Sequence, residues 1–184
     1  MTKNKKIIIG LVGKIASGKG TVAEYLEKKY NANTYRFSTI LRDILKRLHY
    51  EISRTNMQTM STVLRKNFGD DLLAKVIAED VKKDNNKLII VDGIRRMADI
   101  KFLNEMDGFV LTKIIANPKT RYKRLIERTE NKGDSQKTYE NFLDDEQKET
   151  ETLIPIVMEQ AKKELNNNND FENLYNQIDN ILNL

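Results

Sequence analysis

The chain has 184 residues, of which 39% are hydrophobic and two are proline, so it is long enough for one well-buried core and short for two full domains. It contains no cysteine, which excludes disulfide bonds, thiolate metal ligands and a cysteine nucleophile. No apolar stretch approaches ~18 residues, so the composition predicts a cytoplasmic protein without a membrane span. The net charge of +5 is compatible with a nucleic-acid partner and equally with a site for small polyanions.

The pattern of apolar residues predicts buried strands alternating with amphipathic helices, which is typical of a parallel sheet in an α/β fold. We expect strands at 7–12, 33–37, 87–91 and 109–115. We expect helices at 19–30, 39–48, 56–67, 70–83, 96–106, 117–128 and 139–151. Residues 129–138 carry no apolar anchor, which predicts a mobile loop, and Pro155 marks a break before a further helix. A turn at 166–170 precedes a last amphipathic helix that runs through Leu182.

A glycine-rich segment joins the first predicted strand to the first predicted helix, with the sequence Gly-Lys-Ile-Ala-Ser-Gly-Lys-Gly-Thr from Gly13 to Thr21. Gly13 and Gly18 permit turns that a Cβ would block, so successive N–H groups can converge on one anion. Lys19 can reach the outer phosphates, and the first helical turn adds N–H groups and its positive dipole end. The segment predicts a polyphosphate site, and the alternative is a plain strand-to-helix turn with an incidental lysine. The predicted binding residues are Gly13, Ala16, Ser17, Gly18, Lys19, Gly20 and Thr21.

A second polar group follows the strand predicted at 87–91, where Asp92, Gly93, Arg95 and Arg96 stand close together. An aspartate at the carboxyl end of a buried parallel strand opens on the ligand side of the sheet, where it can organise magnesium. Gly93 allows close approach of a ligand, and arginines can bind phosphates bidentately. The alternative role for Asp92 is the N-cap of the next helix, and both roles could hold together.

These motifs resemble those of the P-loop nucleoside monophosphate kinases. The run Gly18–Thr21, with glycine where the commonest form of the motif has Ser or Thr, is similar to the loop of adenylate kinases. The run Asp92–Arg95 resembles the Asp-Gly-Ile-Arg segment of archaeal and phage nucleotide-kinase-like proteins. Residues Phe37–Arg42 resemble the start of the acceptor-binding helix of these enzymes. The run Asn166–Asp170 resembles the turn that carries the adenine of the donor.

The resemblance covers the chain from end to end and implies a three-layer α/β/α P-loop fold with a parallel five-stranded sheet. It implies a single kinase domain with a core at about 1–37, 84–128 and 152–184, an acceptor-binding helical insertion at about 38–83 and a lid at about 129–151. It also implies individual roles. The residues concerned are Lys19, Arg95, Arg124 and Arg128 for catalysis, Ser38, Arg42, Asp92 and Arg95 for the acceptor, Asn168 for the adenine, and Thr21 and Asp92 for magnesium.

For several basic residues the alternative is a solvated surface role. Arg124 and Arg128 lie four residues apart on one helix face, so both can turn toward phosphates or pair with acidic neighbours. Arg54 and Arg65, in the expected acceptor region, are expected at the surface. His49, the single histidine, is expected to be structural.

The resulting hypothesis is ATP- and magnesium-dependent phosphoryl transfer to a nucleoside or deoxynucleoside monophosphate, whose phosphate is already an anionic nucleophile. Dephospho-coenzyme A kinase is the nearest alternative, disfavoured because Ser38 and Thr39 stand where those enzymes carry an aspartate, and Asp43 follows a turn later. A regulator that binds a nucleotide without turnover is a second alternative. Nucleic acid is disfavoured because 27 acidic residues are interspersed with the basic ones. The expected partners are small-molecule nucleotides; the base, the sugar and the oligomeric state stay open.

Overall fold

The computed structural model of the chain describes residues 6–127, 133–147 and 149–182. Its strands are β1 (Ile7–Val12), β2 (Asn33–Arg36), β3 (Leu88–Ile94), β4 (Phe109–Ile115) and β5 (Lys163–Asn166). They form one parallel sheet in the order β2-β3-β1-β4-β5. The carboxyl ends of the strands therefore meet at one edge, where Arg36 pairs with Asp92 and Ile115 pairs with Asn166.

Helices connect these strands and follow the last one. Their bounds are α1 (Lys19–Tyr30), α2 (Phe37–Arg47), α3 (Arg54–Phe68), α4 (Leu72–Lys83), α5 (Met97–Ile100), α6 (Pro118–Glu127), α7 (Tyr139–Glu146), α8 (Glu149–Thr152), α9 (Ile154–Met158) and α10 (Phe171–Leu182). Side-chain caps start three of them. Ser53 accepts from the Asn56 N–H and Thr138 from the Asn141 N–H, both at 3.2 Å, and Asp170 accepts from the Asn173 N–H at 2.8 Å. No helix in the described ranges is both long enough and apolar enough to cross a bilayer.

Alternate residues of β1 face the two helical layers of the fold. Ile9 and Leu11 lie in a buried cluster with residues of α1 and α10. Ile8 and Val12 lie in a second cluster with residues of α2, α4 and α9. The period of two along the strand thus buries both faces of the sheet. The predicted three-layer α/β/α architecture with a five-stranded parallel sheet is confirmed.

Three elements differ from the sequence predictions. The position of β5 was missed because Leu165 is the one buried residue of its four, so no apolar run marks it. The helix predicted at 96–106 ends early, at Ile100, and turns continue to residue 108. The helical stretch predicted at 139–151 is divided into α7 and α8, and Pro155 stands inside the first turn of α9 rather than before it. Proline is tolerated there because that turn needs no N–H donor.

The expectation of an unanchored loop fails for the described part of 129–138. Residues Asp134–Gln136 form a 3-10 turn, and Asp134 is 2% exposed. An aromatic cluster holds the following helix against α6, because the Tyr139 and Phe142 rings lie 5.2 and 5.8 Å from that of Tyr122. The anchor thus comes from aromatic residues on both sides of the polar stretch.

Candidate functional site

The segment between β1 and α1 forms a loop that ends in an open helix N-terminus. Gly18, the N-cap of α1, has a φ of 105°, and Ala16 has a φ of 58°. No side chain caps α1, and its first turn holds no acidic residue. The first N–H groups of a helix have no intrahelical acceptor, so this N-terminus offers donors and a positive dipole end to an anion.

The three glycines of the loop differ in how much space a Cβ would have. A Cβ on Gly13 would lie 2.6 Å from the Ile114 carbonyl oxygen, and one on Gly18 would lie 2.0 Å from Asn167 Nδ2. A Cβ on Gly20 would meet no atom of the described residues within 4 Å. Packing therefore requires glycine at the first two positions and leaves open space beside the third, on the first turn of α1.

Lys19 lies folded over the loop that precedes it. Its ammonium donates to the carbonyl oxygens of Gly13, at 2.6 Å, and Lys14, at 3.2 Å. Neutral carbonyls are weaker partners for a cation than phosphate oxygens are. The lysine charge is thus held at the mouth of the loop by contacts that an anionic ligand can replace.

Asn167, directly after β5, fastens the loop from the other side. Its side chain is buried, and its Nδ2 donates to the Ser17 carbonyl oxygen at 2.8 Å. Arg124 of α6 donates in turn to the Asn167 carbonyl oxygen at 3.0 Å and to its Oδ1 at 3.3 Å. Burial lowers the pKa of the Arg124 guanidinium, which stays charged at neutral pH because its ordinary value is so high. The sequence pointed to the neighbour, Asn168, whose Oδ1 accepts from the Asn117 N–H at 2.7 Å.

A carboxylate from α7 reaches two cations beside the loop. Glu146 pairs with Arg121 of α6 and lies 3.5 Å from the Lys14 ammonium. Arg121 is 2% exposed and also donates to the Ile15 carbonyl oxygen at 3.4 Å. The part of the expected lid region that contains Glu146 thus contacts the loop directly. Arg128, one of the predicted catalytic residues, lies outside the described residues.

The glycine-rich loop occupies one half of the edge where the strands end. On the other half, at the end of β3, Asp92 stands between two donors. Its Oδ1 accepts from the Gly93 N–H at 2.7 Å, and its Oδ2 lies 3.4 Å from Arg36 Nε. Asp92 is level with Leu11 of β1 in the sheet register, so its carboxylate and the loop open on the same edge. Arg36 was missed by the sequence prediction, although its place at the end of β2 was a usable signal.

The loop after β3 holds Arg95, and hydrogen bonds from its backbone to Asp99 fix its position. Asp99 of α5, 2% exposed, accepts from the Arg95 and Arg96 N–H groups at 2.9 and 3.0 Å. The Arg95 side chain is half exposed and lies 3.3 Å from a carboxylate oxygen of Glu151 in α8. The sequence offered no signal for Glu151, which lies 56 positions away and is buried.

The remaining residues that the sequence singled out lie on the helical region between β2 and β3. Ser38 stands half-buried in the first turn of α2, beside Phe37, which faces Gly93. Arg42 and Arg54 are exposed. Arg65, expected at the surface, is 8% exposed and pairs with Asp99 at 2.8 Å, so that expectation was wrong. The exposed His49 has a φ of 59° at the turn after α2, which accords with a structural role.

Comparison with known proteins finds relatives along nearly the whole chain and solved structures of the same fold. The UPF0200 protein of Methanocaldococcus jannaschii is 29% identical over 180 residues, which cover 96% of this chain and 89% of that protein. The UPF0200 protein of Staphylothermus marinus is 25% identical over 178 residues, covering 97% and 92%. The structure of shikimate kinase from Bacteroides thetaiotaomicron matches with a TM-score of 0.65 over 97% of this chain and 99% of that one. At 16% identity, this last likeness shows a shared fold alone.

A family model described as an AAA domain matches residues 12–143, from the end of β1 into α7. The matched stretch contains the loop, the helical region after β2 and the Asp92 segment, which is more than half of the chain. The chain therefore belongs to the AAA domain family, a family of P-loop kinases.

Proposed function

We propose that this protein transfers the terminal phosphoryl group of ATP, with magnesium, to the phosphate of a nucleoside or deoxynucleoside monophosphate. One observation carries the proposal: the Lys19 ammonium is held over the loop beside an uncapped helix N-terminus, on the same strand edge as Asp92 and Arg36. Phosphoryl transfer requires positioning and charge neutralisation rather than covalent work by the protein, and this edge supplies both.

On the donor side, the N–H groups of the loop and of the first turn of α1 would bind the phosphates of ATP. Lys19 would exchange the Gly13 and Lys14 carbonyls for phosphate oxygens. The open space beside Gly20 leaves room for a phosphate at the first helical turn. Arg124, braced against Asn167, would place a further positive charge beside the loop, and Asn168 would stand toward the adenine.

The residues present fit a magnesium ion bound jointly with phosphates. No group of three or more acidic, histidine or cysteine side chains is clustered as a metal cage in the described ranges. Magnesium in kinases is commonly held by one or two carboxylates together with substrate phosphates, so a cage is not needed. Asp92 and the Thr21 hydroxyl would hold the ion, which neutralises phosphate charge when bound.

On the acceptor side, arginines outnumber groups that could act as a base. Arg36 ends β2 and Arg95 lies in the loop after β3, and Ser38 and Arg42 lie on α2, which follows β2 directly. Among the described carboxylates on this side, Asp92 and Glu151 already pair with Arg36 and Arg95, and Asp43 of α2 is exposed. A phosphate acceptor needs cations and no base, which favours a monophosphate over a hydroxyl acceptor.

The test is a product-resolved assay of the purified protein with ATP and magnesium against ribo- and deoxynucleoside monophosphates and dephospho-coenzyme A. Reactions without magnesium and without acceptor serve as controls for contaminating ATPases. We expect diphosphate formation from one or a few monophosphates. Coenzyme A formation would contradict the phosphate acceptor and make a carboxylate base necessary. ATP binding without turnover of any acceptor would contradict the kinase proposal in favour of a regulator.

A further inference from the structure

We infer that Asp99 and Arg65 are positioning residues that set Arg95 for the acceptor phosphate and tie it to the helical region between β2 and β3. This inference rests on the proposed function, since it gives Arg95 an acceptor to bind. It concerns two residues that touch no substrate themselves and act through the Arg95 backbone.

The carboxylate of Asp99 joins three donors in a buried place. Its Oδ2 accepts from the Arg95 and Arg96 N–H groups, at 2.9 and 3.0 Å, and its Oδ1 accepts from Arg65 Nη2 at 2.8 Å. The return bond to the Arg96 N–H is also the usual link from the third residue of a helix to its N-cap. A neutral side chain of the same shape could not accept all three bonds.

The Arg65 guanidinium joins this carboxylate to a different part of the fold. It projects from α3, where its Nη1 also donates to the carbonyl oxygen of Asp70 in the turn before α4. Its Nε is buried and has no hydrogen-bond partner in the part of the chain that the structure describes. The pair thus connects the α3–α4 turn to the backbone of Arg95 through one rigid planar group.

The bond from the Arg96 N–H is an ordinary helix cap, whereas the bonds from the Arg95 N–H and from Arg65 are not needed for capping. Two of the three bonds to Asp99 come from the N–H groups of Arg95 and Arg96, shortly after Gly93, whose φ of 89° lies in the region that favours glycine. The Arg95 side chain beyond them is half exposed and pairs with Glu151 of α8. Fixing this backbone therefore fixes the base of the side chain that would bind the proposed acceptor.

A matched control lies between the same two segments. Lys101, the residue after α5, pairs with Asp71, the residue before α4, at 2.5 Å. This ion pair also joins α5 to the α4 region, yet it is solvent-exposed and makes no bond to the Arg95 loop. Lys101→Met therefore removes an ion pair between these segments without changing the support of Arg95.

The experiment compares wild type, Asp99→Asn, the milder Arg65→Lys and Lys101→Met, each assayed well below its unfolding temperature. In Asp99→Asn and Arg65→Lys we expect the acceptor KM to rise on the order of tenfold while the ATP KM stays within about twofold. Because both residues act through one contact, the double variant should lose less than the product of the two single effects. Lys101→Met should keep both wild-type KM values.

Wild-type KM values for the acceptor in Asp99→Asn and Arg65→Lys, with lower unfolding temperatures, would overturn the inference and leave the proposed function standing. If wild type phosphorylates no acceptor, the proposed function fails, and amide exchange at Arg95 and Arg96 decides the inference separately. Faster exchange of both amides in Arg65→Lys than in Lys101→Met would support the positioning contact. Equal exchange in the two variants would overturn it.

Discussion

The two halves of the strand edge are built in different ways. The phosphate loop is one run of nine residues, Gly13–Thr21, supported from outside by Asn167. The half around Asp92 is assembled from side chains on separate elements, since Arg36 comes from β2, Arg95 from the loop after β3 and Glu151 from α8. Its backbone is fixed by a buried ion pair from α3.

This difference separates a site whose geometry is local from one whose geometry depends on distant contacts. The loop is fixed chiefly by its own φ angles and by the sheet beneath it. The other half relies on Arg65 and Asp99, whose buried ion pair joins α3 to α5. Changes near the loop should therefore act on folding and ATP binding, whereas changes at the second half should act on the acceptor.

The largest stability effect is expected from Gly18→Ala. The φ of 105° is strained for alanine, at a cost of roughly 1–3 kcal/mol, and the new Cβ would overlap Asn167 in addition. We expect a lower unfolding temperature and weaker ATP binding. Gly20→Ala is the matched control, because its Cβ meets no atom of the described residues and alanine favours a helix by up to about 1 kcal/mol. An equal loss of stability in both variants would contradict the account of the loop.

Asn167→Ala should have the next largest effect on stability. It removes the donor to the buried Ser17 carbonyl, and a buried acceptor left without a partner costs about 1–3 kcal/mol. Asn168→Ala, one residue on and less buried, is the control. Thermal unfolding of both should separate them. If Asn168→Ala were the more destabilising change, Asn167 would not be the support of the loop.

Much of this fold was predictable because its signals are local. The apolar runs of β1 and β3 and the glycine spacing of the loop depend on neighbouring residues alone, and the structure confirms both strands. Arg36 carried a local signal at the end of β2, whereas the roles of Arg65 and Asn167 depend on long-range contacts. Arg65 is polar on a helix and reads as a surface residue until Asp99 lies opposite it. Asn167 is indistinguishable from the asparagines beside it until its side chain meets the Ser17 carbonyl.

Glu151→Gln tests the half of the strand edge around Asp92, with a smaller expected effect. Glu151 is buried but the Arg95 side chain is half exposed, and solvent on the arginine side keeps the net strength of the pair at about 0.2–1 kcal/mol. The substitution should lower the acceptor KM by up to about fivefold, because Arg95 no longer has to leave the Glu151 carboxylate in order to bind the acceptor phosphate. Glu79→Gln, in the exposed pair with Lys82 on α4, is the control. A raised acceptor KM in Glu151→Gln would mean that the glutamate orients Arg95 instead of competing for it.

The smallest expected effect concerns the exposed ion pair between Lys101 and Asp71, which joins the same segments as the buried pair between Arg65 and Asp99. The hydrogen bond from Lys101 lowers the pKa of the Asp71 carboxyl. A lowered folded-state pKa means that this contribution to stability is present above the ordinary carboxyl range and is lost as the pH falls through the folded value. The unfolding temperatures of wild type and Lys101→Met should therefore differ slightly at pH 7 and converge in acid. A difference that grows in acid would contradict the sign of this shift.

The most direct test of the central claim is the rate of phosphoryl transfer in Lys19→Met, with Lys28→Met as control. Both lysines lie on α1, but Lys28 pairs with Glu24 on the exposed far turn. We expect Lys19→Met to fold like wild type and to lose turnover on the order of 10²–10³-fold, since it removes a positioned charge from the transferred phosphate. Lys28→Met should retain wild-type turnover. Near-normal turnover in a folded Lys19→Met protein would contradict the assignment of this loop as the phosphoryl-donor site.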